Sequence, residues 1–201
     1  MDERELSREI RTALPAAVLA AGPPPRPLLP DPWGLRELRP GTADSELLVE
    51  WMARPHVREF WQQDWPSERW NRVLQAQLEG DFSRPYLVLR DGRPFAYLEV
   101  YRTCRDLVSA VYPAEPHDLG VHFAIGEVAD TGCGLGRELL RVLAPALLLA
   151  DPACRRVLVE PDARNLPARK MFSGAGFQFI GERDLGHKTA ALLVHDRQPP
   201  P

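Results

Sequence analysis

The chain has 201 residues, of which 44% are hydrophobic and 26% charged, and its formal net charge is −3. That is enough for one domain with a sizeable core, and with no Lys/Arg-rich run it offers no electrostatic footprint for nucleic acid. Cys104, Cys133 and Cys154 lack metal-ligand spacing, the longest apolar stretch, "VLAPALLLA", is too short for a bilayer, and the acidic start "MDEREL" does not suit a leader peptide, so we expect free thiols, no metal, no membrane and a cytoplasmic protein. Among 25 basic residues only Lys170 and Lys188 are lysine, and 21 prolines accompany them, a bias that fits a GC-rich bacterial source.

Leu6, Ile10, Leu14 and Val18 recur at every fourth position, which predicts a helix over 3–20. The stretch "AGPPPRPLLPDPWG" (21–34) holds too much proline for a helix. Residues 1–34 therefore read as an N-terminal helix and Pro-rich arm, 35–197 as the body, and 198–201 as a tail. The body opens on a strand at 34–40. A helix follows at 42–53, capped by Thr42 or Asp44, then a short helical or irregular piece at 55–61. Pro66 or Ser67 opens a helix that Gly80 closes. "RPYLVLRDGRPFAYLEVYRT" predicts a hairpin about Asp91 and Gly92. A strand at 117–126, a helix at 134–149, a strand at 155–161 and a helix at 165–176 ended by Gly176 come next. The chain closes on a hairpin around Asp184–His187. An antiparallel meander leading into a βαβ crossover predicts a mixed α/β fold, one mostly antiparallel sheet of about seven strands with helices on both faces.

The turn "DTGCGLG" sits between a strand and a helix. Its glycines leave backbone N–H groups open to a ligand, and the helix N-terminus adds unpaired donors and partial positive charge, a suitable seat for a pyrophosphate. A plain flexible turn is the alternative. The pattern is neither a Walker loop, since no Lys-Ser/Thr follows, nor the dinucleotide fingerprint, since its third glycine comes one residue early.

One crossover later stands "VEPDARNLPARKMFSGAGF". Together these segments resemble the GCN5-related N-acetyltransferases (GNAT) over about residues 35–196. The resemblance implies a GNAT fold and an acetyl-CoA or other acyl-CoA co-substrate. Its pyrophosphate would lie on Gly132, Cys133, Gly134, Leu135, Gly136 and Arg137. Its pantetheine arm would pair with the backbone of Phe123, Ala124 and Ile125, and Asn165, Ala168 and Phe172 complete the motif. Thr131 stands where the family often has Arg or Gln, and Phe172 where many members have a Tyr that protonates the leaving thiolate. Phenylalanine cannot donate that proton.

"FWQQDWPSERW", "YLEVYRTCRDLVSAVYPAEPHDLGVHFAIG" and "VEPDARN" are similar to the siderophore-biosynthesis branch. That branch acylates the side-chain nitrogen of lysine or N6-hydroxylysine in aerobactin- and mycobactin-type pathways. The resemblance implies that His122 and Asp162 are catalytic, His122 as general base and Asp162 orienting the imidazole or holding the substrate's cation. The residues agree with this placement. On "GVHFAIG", Val121, Phe123 and Ile125 share one face, while His122 and Ala124 face the other way. If the strands at 117–126 and 155–161 are neighbours, His122 and Asp162 sit where they diverge, and crevices form at such strand ends. A half-buried histidine and an Asp turn former are the plainer readings. His117 with Asp118 is a competing pair, placed in a loop before the strand.

Trp51, Trp61, Trp65 and Trp70 cluster within twenty residues. Trp51 reads as core, whereas Trp61 and Trp65 flank "QQD", a loop that could wall an acceptor channel. Trp61, Trp65 and Tyr101 are the candidate substrate contacts. The expected partners are a small-molecule amine or hydroxylamine and a donor on coenzyme A or an acyl carrier protein, with a monomer or homodimer as the assembly. Asp64, Glu68, Glu79 and Asp81 keep a polycationic acceptor such as an aminoglycoside open, and a non-catalytic coenzyme A or carrier-binding module is the third alternative.

Overall fold

The computed structural model describes residues 13–198. Residues 3–12 of the predicted first helix and residues 199–201 of the tail lie outside them. The described part of that helix, α1 (Ala16–Ala20), starts directly after Pro15, which has no N–H to give a helix interior. The proline-rich stretch that follows forms neither helix nor strand before Trp33.

The body runs β1 (Trp33–Glu37), α2 (Ala43–Ala53), α3 (Pro55–Trp61), α4 (Ser67–Glu79), β2 (Ser83–Arg90), β3 (Arg93–Arg102), β4 (Leu119–Ile125), α5 (Leu135–Ala150), β5 (Arg156–Val159), α6 (Leu166–Gly174), β6 (Gln178–Asp184) and β7 (Thr189–Asp196). Thr42 caps α2, accepting from the Ser45 N–H while the Ser45 hydroxyl accepts from the Thr42 N–H. Asp91 and Gly92, both at positive φ, turn β2 into β3 as the Asp-Gly pair predicts.

The seven strands form one sheet in the order β1-β2-β3-β4-β5-β7-β6. Only β4 and β5 are parallel, and they pair at just two positions, Leu119 with Val157 and Gly120 with Leu158. Beyond these the two strands part. The cause lies in β5, which is shorter than the strand predicted over 155–161. Pro161 has no N–H for a ladder, and the chain there turns to β7: the Pro161 carbonyl accepts from the Ala191 N–H at 2.8 Å, and Asp162 bridges Ala190.

Helices cover both faces. α5 and α6 bury Leu139, Leu143, Leu147 and Phe172 against Leu98, Val100, Leu119 and Val121. On the opposite face α2, α3 and α4 bury Trp51, Val57, Trp70 and Leu74 against Leu87, Tyr97 and Ala124. The alternation predicted for β4 holds, because Val121, Phe123 and Ile125 pack toward α5 and α6 while Ala124 packs the other way. Trp51 is core, as expected, at 1% exposure.

Candidate active site

The split between β4 and β5 opens a cavity of about 140 Å³. Gln63, Trp65 and Trp70 from the α3–α4 region, His122 and Phe123 from β4, Glu160 and Asp162 beyond β5, and Asn165, Ala168 and Phe172 at α6 line it. The cavity therefore passes from one sheet face to the other through a gap that a continuous sheet would have closed.

His122 stands in that gap. Its register partner across β3 and β4 is Glu99, whose Oε2 lies 3.2 Å from Nδ1. The other ring nitrogen, Nε2, is 2.6 Å from Oε1 of Glu160. Glu160 in turn pairs with Lys188, whose Nζ also donates to the Glu160 main-chain carbonyl at 2.7 Å. The Tyr101 ring stacks on the imidazole with centroids 4.4 Å apart, and Trp61 meets it edge-on at 6.2 Å.

The predicted residues divide accordingly. Trp61 and Trp65 both line the cavity, Trp61 as the last residue of α3 and Trp65 in the 62–66 loop. Tyr101 is not among the residues lining the cavity: it is fully buried, and its ring packs on the His122 imidazole. Asp162 lines the cavity, but its carboxylate is taken up by Arg164, which donates from Nε at 3.0 Å, Nη2 at 2.8 Å and its backbone N–H at 2.9 Å. These bonds from Arg164 hold the Asp162 carboxyl below the usual aspartate range despite burial. The imidazole is therefore oriented by Glu99 and Glu160, with Asp162 beside them in the wall. His117 has a loop role, its Nδ1 3.0 Å from Asp151, and Asp118 pairs with Arg156.

Glu99, Glu160 and Lys188 are the functional candidates that the sequence reading missed. Glu99 interrupts the apolar run "YLEVY" in the same way that His122 interrupts its own strand. Glu160 ends the apolar run of β5. Lys188 lies in a hairpin turn, where no periodicity marks it. Burial, and then the neighbouring Glu99 carboxylate, push the Tyr97 phenol well above the usual tyrosine range, so Tyr97 keeps its proton beside the site.

The glycine-rich turn lies at the mouth of α5. Gly134 is the N-cap at φ +92°, a conformation that L side chains rarely adopt, and it brings no side chain to cap the first turn. Gly132 is also left-handed, while Cys133 and Arg137 are exposed. Leu135 and Gly136 start the helix, and Gly136 packs against Met171, another cavity-lining residue. Asn165 caps α6 by accepting from the Ala168 N–H at 3.1 Å. Phe172 is buried, with its ring edge-on to Phe177. Open helix-terminal donors, a left-handed glycine cradle and an adjoining gap in the sheet fit a pyrophosphate with a thioester-bearing arm. Among the described residues no group of three or more His, Cys, Asp or Glu side chains is arranged to hold a metal, and no helix is long and apolar enough to cross a membrane.

Known proteins resemble this chain in sequence and fold. The family model described as "Acetyltransferase (GNAT) domain" matches residues 41–185. Lysine N-acyltransferase MbtK of Mycolicibacterium paratuberculosis is 44% identical over 191 residues, covering 95% of this chain and 85% of that protein. N(6)-hydroxylysine O-acetyltransferase of Escherichia coli is 30% identical over 155 residues, covering 77% of this chain and 49% of that protein. Among solved structures, an aminoglycoside acetyltransferase in complex with coenzyme A matches with a TM-score of 0.71 at 25% identity, over 82% of this chain and 95% of that one. A split parallel pair beside a glycine-capped helix, a matching family model over most of the body and relatives that span nearly the whole chain lead to one assignment: the chain belongs to the GNAT acetyltransferase family.

Proposed function

We propose that the protein is an acyl-CoA-dependent N-acyltransferase that moves an acyl group, acetyl in the simplest case, to the side-chain nitrogen of lysine, N6-hydroxylysine or a similar diamine in hydroxamate siderophore biosynthesis. The observation that carries this reading is the cavity through the β4–β5 split with His122 in its wall. The names of the lysine and hydroxylysine acyltransferase relatives support the choice of acceptor. We take residues 35–197 as one acyltransferase domain and 1–34 as an arm upon it.

In this reading the 132–137 turn binds the pyrophosphate and the Phe123–Ile125 backbone binds the pantetheine arm. A backbone N–H there polarises the thioester carbonyl. His122 accepts the proton that the nitrogen loses as its bond to carbon forms. The departing thiolate needs one proton, so returning that same proton balances the reaction without a donor at Phe172. Asp162 would hold a substrate cation by exchanging it for Arg164, whose side chain is 74% exposed and so loosely committed. Of the acids that keep a polycation open, Asp81 pairs with the buried Arg105, while Glu68 pairs only loosely with Arg72, its side chain being 83% exposed.

The test is thiol release from acetyl-CoA against lysine, N6-hydroxylysine, N5-hydroxyornithine, N-hydroxycadaverine and one aminoglycoside. Turnover with a lysine-type amine or hydroxylamine is expected. Turnover with the aminoglycoside alone overturns the acceptor, and silence with acetyl, longer acyl and carrier-bound donors overturns the enzyme reading.

A further inference from the structure

Both ring nitrogens of His122 face carboxylate oxygens. An ionised carboxylate only accepts, and a neutral imidazole carries a single N–H. The cluster therefore holds one proton more than neutral histidine with two carboxylates, either on the ring or on one acid. The two acids are not equivalent. Glu160 is 2.6 Å from Nε2, its side chain is 1% exposed, and Lys188 grips both its carboxylate and its main-chain carbonyl. Glu99 is 3.2 Å from Nδ1 with its side chain 13% exposed. One side of the ring is locked and the other can yield.

We propose that Glu160, clamped by Lys188, is the positioning residue of this site: it fixes His122 through Nε2 and leaves Nδ1, opposite Glu99, as the nitrogen that exchanges protons with the acceptor. The proposal rests on the acyltransferase reading. The incoming nitrogen displaces Glu99, which leaves Nδ1 carrying the extra proton as its neutral acid; the nitrogen bonds to the thioester carbon as the carbonyl π pair moves to oxygen, and it gives its own proton to the vacated Nδ1. The C–S bond then breaks with its electron pair on sulfur, and the imidazolium returns the proton to the thiolate. Nε2–H stays on Glu160 throughout, so the ring keeps its orientation and its second hydrogen. The charged and titratable groups facing the ring are few. β3 brings Glu99 and the Tyr97 and Tyr101 phenols, the segment beyond β5 brings Glu160 and the Asp162–Arg164 pair, and the last hairpin brings Lys188. α3, α4 and α6 contribute only uncharged side chains to the cavity wall.

The test follows the His122 imidazole by NMR titration in the protein alone, with its signal assigned by His122→Ala among the five histidines. Glu160→Gln removes a carboxylate from Nε2, so His122 should take its proton about one pH unit lower than in the unmodified protein. Lys188→Met removes the cation that offsets Glu160, so the same titration should move to higher pH. Asp162→Asn should shift it less than Glu160→Gln does, because the Asp162 carboxylate bonds to Arg164 whereas Glu160 lies 2.6 Å from Nε2. The acid limb of kcat/KM with acyl-CoA and an amine should follow the NMR shifts, while the KM for acyl-CoA stays unchanged. A role confined to folding would lower the yield of folded protein without opposite shifts from Glu160→Gln and Lys188→Met. Shifts in the same direction, no shifts, or a dominant shift in Asp162→Asn would overturn the assignment. Should Glu160→Gln fail to fold, the sign of the Lys188→Met shift decides. Opposed NMR shifts without turnover would leave the Lys188–Glu160 clamp on His122 standing but remove the acyltransferase reading and with it the proton exchange at Nδ1, whereas turnover with an acid limb that ignores both variants would remove the assignment alone.

Discussion

His122 is the one polar side chain that β4 turns toward α3 and α4, since Gly120 and Ala124 are its neighbours on that face. A polar group there is costly unless it is paired, and Glu99 on β3 and Glu160 beyond β5 are placed against its two ring nitrogens. That commitment makes the residue-scale prediction specific. His122→Ala should lower kcat by about 10²–10⁴ with lysine as acceptor, the usual range for loss of a general base. The free amine, with a pKa of about 10.4, must shed a proton before it attacks. An N-hydroxylated amine is far less basic and arrives largely neutral, so its loss should be clearly smaller. Thiol release with the two acceptors measures both, and equal losses would remove the base role from His122.

At the scale of elements, the site depends on how closely β3 and β4 can approach each other. A Cβ added at Gly120 would lie 2.1 Å from Cζ of Tyr101 and 2.4 Å from a second ring atom. Tyr101 is fully buried, so its ring has no room to retreat. Gly120→Ala should therefore destabilise the fold by about 1–3 kcal/mol, as overpacking does, and move Tyr101 off the imidazole. Urea midpoints and the ring-current shift of His122 report the two effects. Gly34→Ala, whose Cβ would meet Leu89 at an ordinary 3.8 Å, is the control that should change neither. The same close approach explains which parts of the site the sequence makes legible. Alternation within β4 separates His122 from Val121, Phe123 and Ile125 without any knowledge of its neighbours. Glu99 emits the same signal within β3, but its meaning depends on the register that sets it opposite His122. Glu160 depends on where β5 stops, and Lys188 on a hairpin folding back over that end. Tyr101 is polar enough to suggest a substrate contact, yet the glycine opposite it admits the ring into the core.

Across the whole molecule, one arginine joins the N-terminal arm to the body. Arg102, at the end of β3, donates to the carbonyls of Ala21, Gly22 and Pro23 at 3.0–3.1 Å, to the His117 carbonyl at 3.0 Å, and to Asp151 after α5 at 2.7 Å. Its side chain is 3% exposed and that of Asp151 is 10%. Buried charges of this kind add little over an apolar substitute for the whole pair, but removing one partner strands the other. Arg102→Met should therefore cost about 3–5 kcal/mol at neutral pH and release the arm, seen as faster proteolysis near residues 21–23. The pH dependence has a definite sign. Burial pushes the Asp151 carboxyl up, but hydrogen bonds from His117 and Arg102 outweigh it and hold the group below its usual value. A carboxyl depressed in the folded state stabilises fully above the unfolded aspartate value of about 3.9, and that stabilisation is lost as pH falls through the lower folded value. Arg102→Met leaves burial less opposed, so the carboxyl should rise and the acid-side loss of stability should shrink. Urea unfolding at neutral pH and again below the aspartate range measures the difference. A variant as stable as the parent at neutral pH, or one with an unchanged acid slope, would show that the arm is held by other contacts.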